Sequence, residues 1–286
     1  MHHVMIVLNY NDAHKTAQFI ENSDRLPCVD MLLVVDNASP DGSFEALKAM
    51  ESEKIEAIQT HENGGYAHGN NYGVRYAISK WNPDVISIAN PDIMIENEAA
   101  EAVLRFVDLH PQAGMVSCAL QGHPEGSGWK GMTYGRCLAE DLFFFHWLFR
   151  ALKRWARVRP KRDAYEVGVV PGCFFAIRTK TLQSVGLMDE GTFLYYEENI
   201  LAFKLRRAGY LNFILGGHAY RHEDSASISK AFHAGERFAI RHQSRMYYCQ
   251  KYLEAGVVRL ALLQLAYRVG SAEYGIYRRC RSLIEV

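Results

Sequence analysis

Much is missing from this 286-residue chain, and each absence narrows its function. There is no excess of charge, since 32 lysines and arginines balance 32 aspartates and glutamates. A protein held to nucleic acid mainly by bulk positive charge is therefore excluded. There are only six cysteines, at 28, 118, 137, 173, 249 and 280, too few for a disulfide scaffold. No two of them form a C-x-x-C pair, which excludes a zinc ribbon or a thioredoxin-like motif. That usage suits a reducing cytosol. No basic segment precedes the first apolar run, which stops at Asn9, so no secretory signal is expected. Nowhere do roughly 18 uninterrupted apolar residues occur, as a membrane-spanning helix would need. What is present is 49% hydrophobic and 22% charged residues, the balance of a packed globular protein.

The first 120 residues alternate between two periods. Short apolar runs at 4–10, 31–36, 55–60 and 84–89 read as strands buried on both faces. Between them, 12–22, the stretch from about Ser43 to Glu51, and the stretch up to Lys80 read as helices. Strands alternating with helices indicate parallel βαβ units in a doubly wound sheet. Beyond, 121–135 is a glycine-rich loop, 167–178 and 210–215 return to strand character, 197–208 is a helix stopped by Gly209, and the chain is mostly helical from about Lys230.

In such sheets ligands bind outside the carboxyl ends of the strands. Asn9-Tyr10-Asn11, Asp36-Asn37, Asn63-Gly64-Gly65 and Asn90-Pro91-Asp92 each follow an expected strand. Singly, each is an ordinary turn; four on one edge point to a ligand site. Asp92 is placed to hold Mg²⁺ or Mn²⁺ against a diphosphate, because these ions take one or two carboxylates plus phosphate oxygens. Asp36 could accept a hydrogen bond from a base or ribose, or simply close its own turn. The stretch 63–73 brings glycines and amides to a helix start, where backbone N–H groups favour anions. It holds no dinucleotide fingerprint, and the chain has no G-x-x-x-x-G-K-[ST] loop, so neither NAD nor a Walker-type ATP site is supported. Glu197-Glu198 opens a helix, where two acids complement the dipole or one serves as a general base; spacing does not choose between them. His218 and His222 sit in a polar stretch expected to be a loop, where a histidine can be a further metal ligand.

Taken together, the segments VLNYND, VVDNASPDGS, ENGGYAHGNNYG, ANPDI, PGCFFAIRTKTLQSVGLMDEGTFLYYEEN, LRRAGY and RHEDSAS resemble, in that order, the family 2 glycosyltransferases, especially rhamnosyltransferase-like members that build cell-surface polysaccharide. The resemblance runs from about Val4 to Tyr252. It implies a GT-A fold: an α/β architecture with a mostly parallel central sheet, helices on both faces and a helical C-terminal extension. Residues 1–120 would be the nucleotide-binding half, 121–229 the acceptor and catalytic half with an insertion at 121–162, and 230–286 the extension. It also implies a dTDP- or UDP-sugar donor, Mn²⁺ or Mg²⁺, and inverting transfer to a hydroxyl of a glycan or lipid-linked glycan. Carried over residue by residue, Asn9 and Tyr10 line the nucleotide pocket and Asp36 contacts the base. Asn63 and Asn70 or Asn71 lie in the donor loop. Asp92 is the metal-binding acid, with Asn90 in place of the motif's first acid, and His222 completes the metal or diphosphate contact. Glu198 takes the place of the catalytic base, beside Glu197. The family's usual E-D-x-D here reads Glu197-Glu198-Asn199-Ile200, so the longer base and the missing second acid leave open which glutamate acts.

Two other readings share the fold. One is a UDP-sugar-dependent galactosyl, galactofuranosyl or N-acetylhexosaminyl transferase. The other is a non-catalytic sugar-nucleotide-binding protein. Residues 142–162 carry seven lysines and arginines and no acid. Phe144, Leu148, Leu152 and Trp155 share one helical face, and Arg150, Lys153 and Arg157 the other. With Arg278, Arg279 and Arg281, this segment is expected to lie on the inner face of the cell membrane near a lipid-linked acceptor. The same apolar face would equally serve packing on the chain's own core or on a second copy in a homo-oligomer.

Overall fold

The structure is a computed structural model describing residues 1–142, 158, 160–222 and 232–284, with the backbone alone at 24 and 277–284. The amphipathic segment of 142–162 falls, at 143–157 and 159, outside the described residues, as do the side chains of Arg278, Arg279 and Arg281.

The first half follows the expected alternation: β1 (His3–Asn9), α1 (Ala13–Asn22), β2 (Met31–Asp36), α2 (Ser43–Lys48), β3 (Ile55–Gln59), α3 (Tyr66–Trp81) and β4 (Val85–Ala89). These four strands pair in parallel, in the order β3-β2-β1-β4. Their unbroken apolar runs are explained by period two. On β1 and β2, Met5, Val7, Leu32 and Val34 pack under α1 and α2 with Phe19, Ile20 and Leu47. Val4, Ile6, Leu33 and Val35 face the other way, onto Val74 and Ala77 of α3. Each such burial contributes about 1.5–3 kcal/mol.

The second half comprises β5 (Ile93–Ile95), α4 (Asn97–Leu109), β6 (Ala113–Leu120), α5 (Tyr134–Asp141), β7 (Ala164–Val167), β8 (Phe174–Arg178), α6 (Thr179–Ser184), α7 (Glu197–Arg207), β9 (Leu211–His222), α8 (Ala234–Lys251) and α9 (Val257–Ile284). Here the sheet is mixed. β8 pairs antiparallel with both β4 and β6, and β9 runs parallel to β6. The sheet is thus mostly parallel through β3-β2-β1-β4 and again at β6-β9, with β5, β7 and β8 antiparallel to their neighbours.

β9 is longer than its apolar start suggests. Residues 212–215 pair with β7, and 220–222 pair with β5 along the same edge. Gly216 joins the two stretches where a Cβ would overlap the Lys161 carbonyl oxygen. His218 and His222, expected in a loop, therefore lie on a strand, with His218 exposed.

Helices α5, α7, α8 and α9 bury a third cluster that includes Cys137, Ile200, Tyr248 and Leu263. No helix among the described residues is long and apolar enough to cross a membrane.

Candidate active site

The carboxyl ends of β1, β2 and β4 open onto a cleft of about 390 Å³. Its floor begins with a register fact: Asn9 and Asp36 are opposite each other at the ends of adjacent parallel strands. The Asn9 amide donates to Asp36 Oδ2 at 2.7 Å and accepts from the Thr16 hydroxyl at 2.8 Å. Asp36 Oδ1 accepts from the Ser39 backbone N–H at 2.9 Å and from the Gln59 amide at 3.0 Å. Both side chains are nearly fully buried, and neither lines the cleft. They brace the turn that carries Asn37, which does line it. The Asn37 amide donates to Asn63 Oδ1 at 2.8 Å and so ties the β2 turn to the loop before α3.

That loop is fixed by Gly65. Its φ is +98°, a left-handed value that favours glycine, and a Cβ there would overlap the Phe193 carbonyl oxygen. Tyr10, Asn63, Gly65 and Tyr66 line the cleft; Asn70 and Asn71 do not. Asn71 is a structural clamp, donating to the Met188 carbonyl and Glu190 and accepting from the Met188 N–H at 3.0 Å. Asn70 donates to the Tyr66 carbonyl oxygen at 2.9 Å, and its own Oδ1 is buried without a partner. In this structure Asn9, Asp36, Asn70 and Asn71 make intramolecular hydrogen bonds that brace the turn after β2 and the start of α3.

Asn90, Pro91 and Asp92 follow β4 into the same cleft. The antiparallel pairing of Ile93 with His222 brings a histidine from 130 residues later beside Asp92. His222 Nε2 stands 3.2 Å from Asp92 Oδ1. Both atoms are buried, and neither makes a well-formed hydrogen bond. A carboxylate oxygen and an imidazole nitrogen that converge without satisfying each other fit a shared divalent cation, which takes both atom types. Among the described residues no group of three or more His, Cys, Asp or Glu side chains converges. The remaining coordination would fall to diphosphate oxygens and water.

Opposite this pair, α7 starts in unusual backbone. Tyr195 and Tyr196 have φ of +71° and +72°, a left-handed conformation that costs a non-glycine residue about 1–2 kcal/mol. The Tyr196 ring is buried, and its hydroxyl donates to Glu140 at 3.1 Å while accepting from Arg245 Nε at 3.0 Å. Arg245, 1% exposed, also pairs with Asp141 and with Glu140. His242 Nδ1 approaches the other Asp141 oxygen at 3.1 Å. The C-terminal helix α8 thereby holds the turn from which Glu197 and Glu198 emerge.

These two glutamates have different environments. Glu197 is buried with Oε2 unpartnered. Burial, and then the Glu198 charge, raise its carboxyl well above the usual range against the pull of the Glu197 and Tyr195 backbone N–H groups. Burial pushes Glu198 up to about 6, opposed by its own backbone N–H and by Arg241. Trp129 Nε1 donates to Asn199 Oδ1 at 3.0 Å, and the Asn199 amide donates to Glu198 Oε1 at 3.1 Å. The two carboxyls are thus set apart by their environments, as a division of acid–base roles requires.

Tyr66, Trp129 and Arg241 carry no motif signal of their own. Tyr66 lies inside the glycine-rich stretch, its hydroxyl donating to the Gly172 carbonyl at 2.7 Å and standing 3.1 Å from Asn90 Oδ1. Trp129 lies in the expected loop, pinned there by a β-bridge to Val169.

Comparison with known proteins bears on the family and the fold. The chain is similar to the low-salt glycan biosynthesis hexosyltransferase Agl10 of Haloferax volcanii, at 26% identity over 71% of this chain and 61% of that protein. It is similar to the rhamnosyltransferase WbbL of Escherichia coli, at 28% identity over 59% of this chain and 66% of that one. An N-acetylglucosaminyl-diphospho-decaprenol L-rhamnosyltransferase of Mycobacterium tuberculosis is 25% identical over 63% of this chain and 62% of its own length. The chain thus spans 61–66% of the length of these curated relatives. Among solved structures, the mannosyltransferase PcManGT of Pyrobaculum calidifontis, in complex with GDP-Man and Mn²⁺, superposes with a TM-score of 0.61 at 15% identity, covering 94% of this chain and 73% of that one. S. aureus TarS 1–349 in complex with UDP-GlcNAc gives a TM-score of 0.56 at 14% identity, over 93% of this chain and 71% of that one. At such identities the likeness shows the fold, the GT-A glycosyltransferase fold. The family model for glycosyl transferase family 2 matches residues 4–186, more than half the sequence, and the chain belongs to that family.

Proposed function

We propose that this protein is an inverting glycosyltransferase that moves a sugar, rhamnose in the first instance, from a dTDP- or UDP-linked donor to a hydroxyl of a lipid-linked glycan. The observation that carries this reading is the place of Glu198. It lines both the cleft that holds Asp92 and His222 and a second chamber behind it. Nucleotide and diphosphate would enter on the Tyr10, Asn37 and Asn63 side, near the start of α3. Asp92 Oδ1 and His222 Nε2 would hold Mn²⁺ or Mg²⁺, which when bound offsets the charge of the departing diphosphate. Glu198 takes the proton from the acceptor hydroxyl as that oxygen attacks the anomeric carbon. One base on the face opposite the leaving group gives inversion, by the same geometry as inverting hydrolases. Asn199, held by Trp129, orients Glu198. The rhamnosyl donor and lipid-linked acceptor draw support from the names of the Escherichia coli and Mycobacterium tuberculosis relatives.

The test is a pH profile of transfer from dTDP-rhamnose and UDP-sugars with Mn²⁺ present. A base must be ionised to act, so kcat/KM is expected to rise through an acid limb near pH 6, following Glu198. A profile flat from pH 5 to 8, with chemistry rate-limiting, would remove Glu198 from the base role.

A further inference from the structure

The chamber behind Glu198, of about 240 Å³, is lined by Trp129, Arg136, Glu140, Tyr195 and Arg241. Its charges are unevenly matched. Glu140 meets Arg245 at 3.0 Å and the Tyr196 hydroxyl, Arg245 being shared with Asp141, and Glu198 lines the same chamber. Arg136 directs Nη1 to the Lys130 and Gly131 carbonyls, at 2.5 and 2.8 Å, and among the described residues has no carboxylate within ion-pair distance. Arg241 lies over the Tyr195 ring, 4.5 Å from its centroid, and has no carboxylate partner within salt-bridge distance among the described residues.

One turn earlier on α8, Arg237 lines the adjoining cavity of about 200 Å³, together with Tyr195, Phe238, Arg241 and Tyr274. Arg237, Arg241 and Arg245 follow one another at i, i+4 and i+8 and so share one face of the helix. The innermost, Arg245, is buried and saturated by carboxylates. Among the described residues the outer two have no carboxylate within ion-pair distance, and Arg241 lines the same chamber as Glu198. Planar guanidinium groups beside an aromatic wall are the chemistry that takes phosphate.

From this arrangement we infer that Arg241 and Arg237, assisted by Arg136, bind a phosphate or diphosphate carried by the acceptor, so that the acceptor sugar lies along Trp129 and Tyr195 with its hydroxyl at Glu198. The inference rests on the transferase reading for the sugar's orientation, but the anion site itself does not. A phosphate held at Arg241 sits on the far side of Glu198 from Asp92, so this site is distinct from the one for the donor's diphosphate. Arg241 and Arg237 are then specificity-determining residues, which select an acceptor that bears phosphate.

The binding test uses the full chain in EDTA, with no donor, and two probes below their micelle concentrations: decyl diphosphate and the neutral decyl β-glucoside. The wild type is expected to prefer the diphosphate. The double variant Arg237→Gln/Arg241→Gln should lose roughly 10–100-fold in decyl diphosphate affinity, as two charge-assisted contacts imply. Affinity for dTDP or UDP should be unchanged. Arg241→Lys, which keeps the charge and loses the fork, should fall between. Circular dichroism melting is expected to be unaltered, since both side chains lie outside the buried network. Equal affinity of wild type and double variant for decyl diphosphate would overturn the site. So would a loss confined to phosphatidylglycerol vesicles, which would make the arginines readers of a membrane headgroup. Donor hydrolysis with Mn²⁺, measured on the wild type, separates the two readings. If hydrolysis is absent, the transferase reading fails, while the anion site still stands or falls on decyl diphosphate.

Discussion

Glu198→Gln is expected to lower turnover by about 10²–10⁴-fold, the range of general-base catalysis, while donor affinity is retained. Glutamine keeps the shape and can still meet the Asn199 amide, which now stands 3.1 Å from Glu198 Oε1, but it cannot take a proton. The control is Glu197→Gln. Burial and its neighbour's charge raise its carboxyl well above the usual range, which disfavours it as the base, so a much smaller loss is expected. Steady-state kinetics on the two variants at pH 7.5 decides the matter. A larger loss in Glu197→Gln than in Glu198→Gln would exchange their roles.

Asp92→Ala is expected to remove metal-dependent transfer. A cation that offsets diphosphate charge is worth several kcal/mol in the transition state, so a rate loss of at least about 10²-fold follows. The fold should survive. Asp92 is 7% exposed with Oδ1 lacking a hydrogen-bond partner, and deleting a buried, unsatisfied carboxylate removes a destabilising group. Melting in EDTA should therefore be equal to or above wild type, and the Mn²⁺-induced rise in melting temperature should vanish. A folded Asp92→Ala protein with undiminished Mn²⁺-dependent activity would refute the metal assignment.

The parallel half was legible because its strands are apolar on both faces and each ends in a polar turn. Asp92 could be placed from that rule alone. The second half was not, for physical reasons tied to particular residues. β9 carries Gly216, Gly217 and His218 in its middle, which reads as a loop until β5 and β7 are there to pair with it. Without that pairing nothing in the sequence brings His222 to Asp92. Asn9, Asp36 and Asn71 follow or flank strand ends in the sequence, but a sequence does not say whether an amide faces a ligand or its own turn. Tyr195 and Tyr196 were invisible as backbone: left-handed residues are normally read from glycine or asparagine, and here tertiary contacts impose the conformation on tyrosine. Arg241 read only as part of a helix, because its meaning depends on which neighbouring cations are already neutralised.

The link from Arg245 to Tyr196, Glu140 and Asp141 has a consequence for how such a chain can diverge. Its members come from α5, from the turn before α7 and from α8, three places far apart in the sequence. The family-model match ends at residue 186, before two of them. A neutral residue at 245 would leave Asp141 as an uncompensated charge in the interior, at a cost of about 3–5 kcal/mol. Drift at 245 is thus tolerable only with matching changes at 140 and 141. A recombinant that joins one relative's first 186 residues to another's remainder would therefore separate Arg245 from the acids it pairs with.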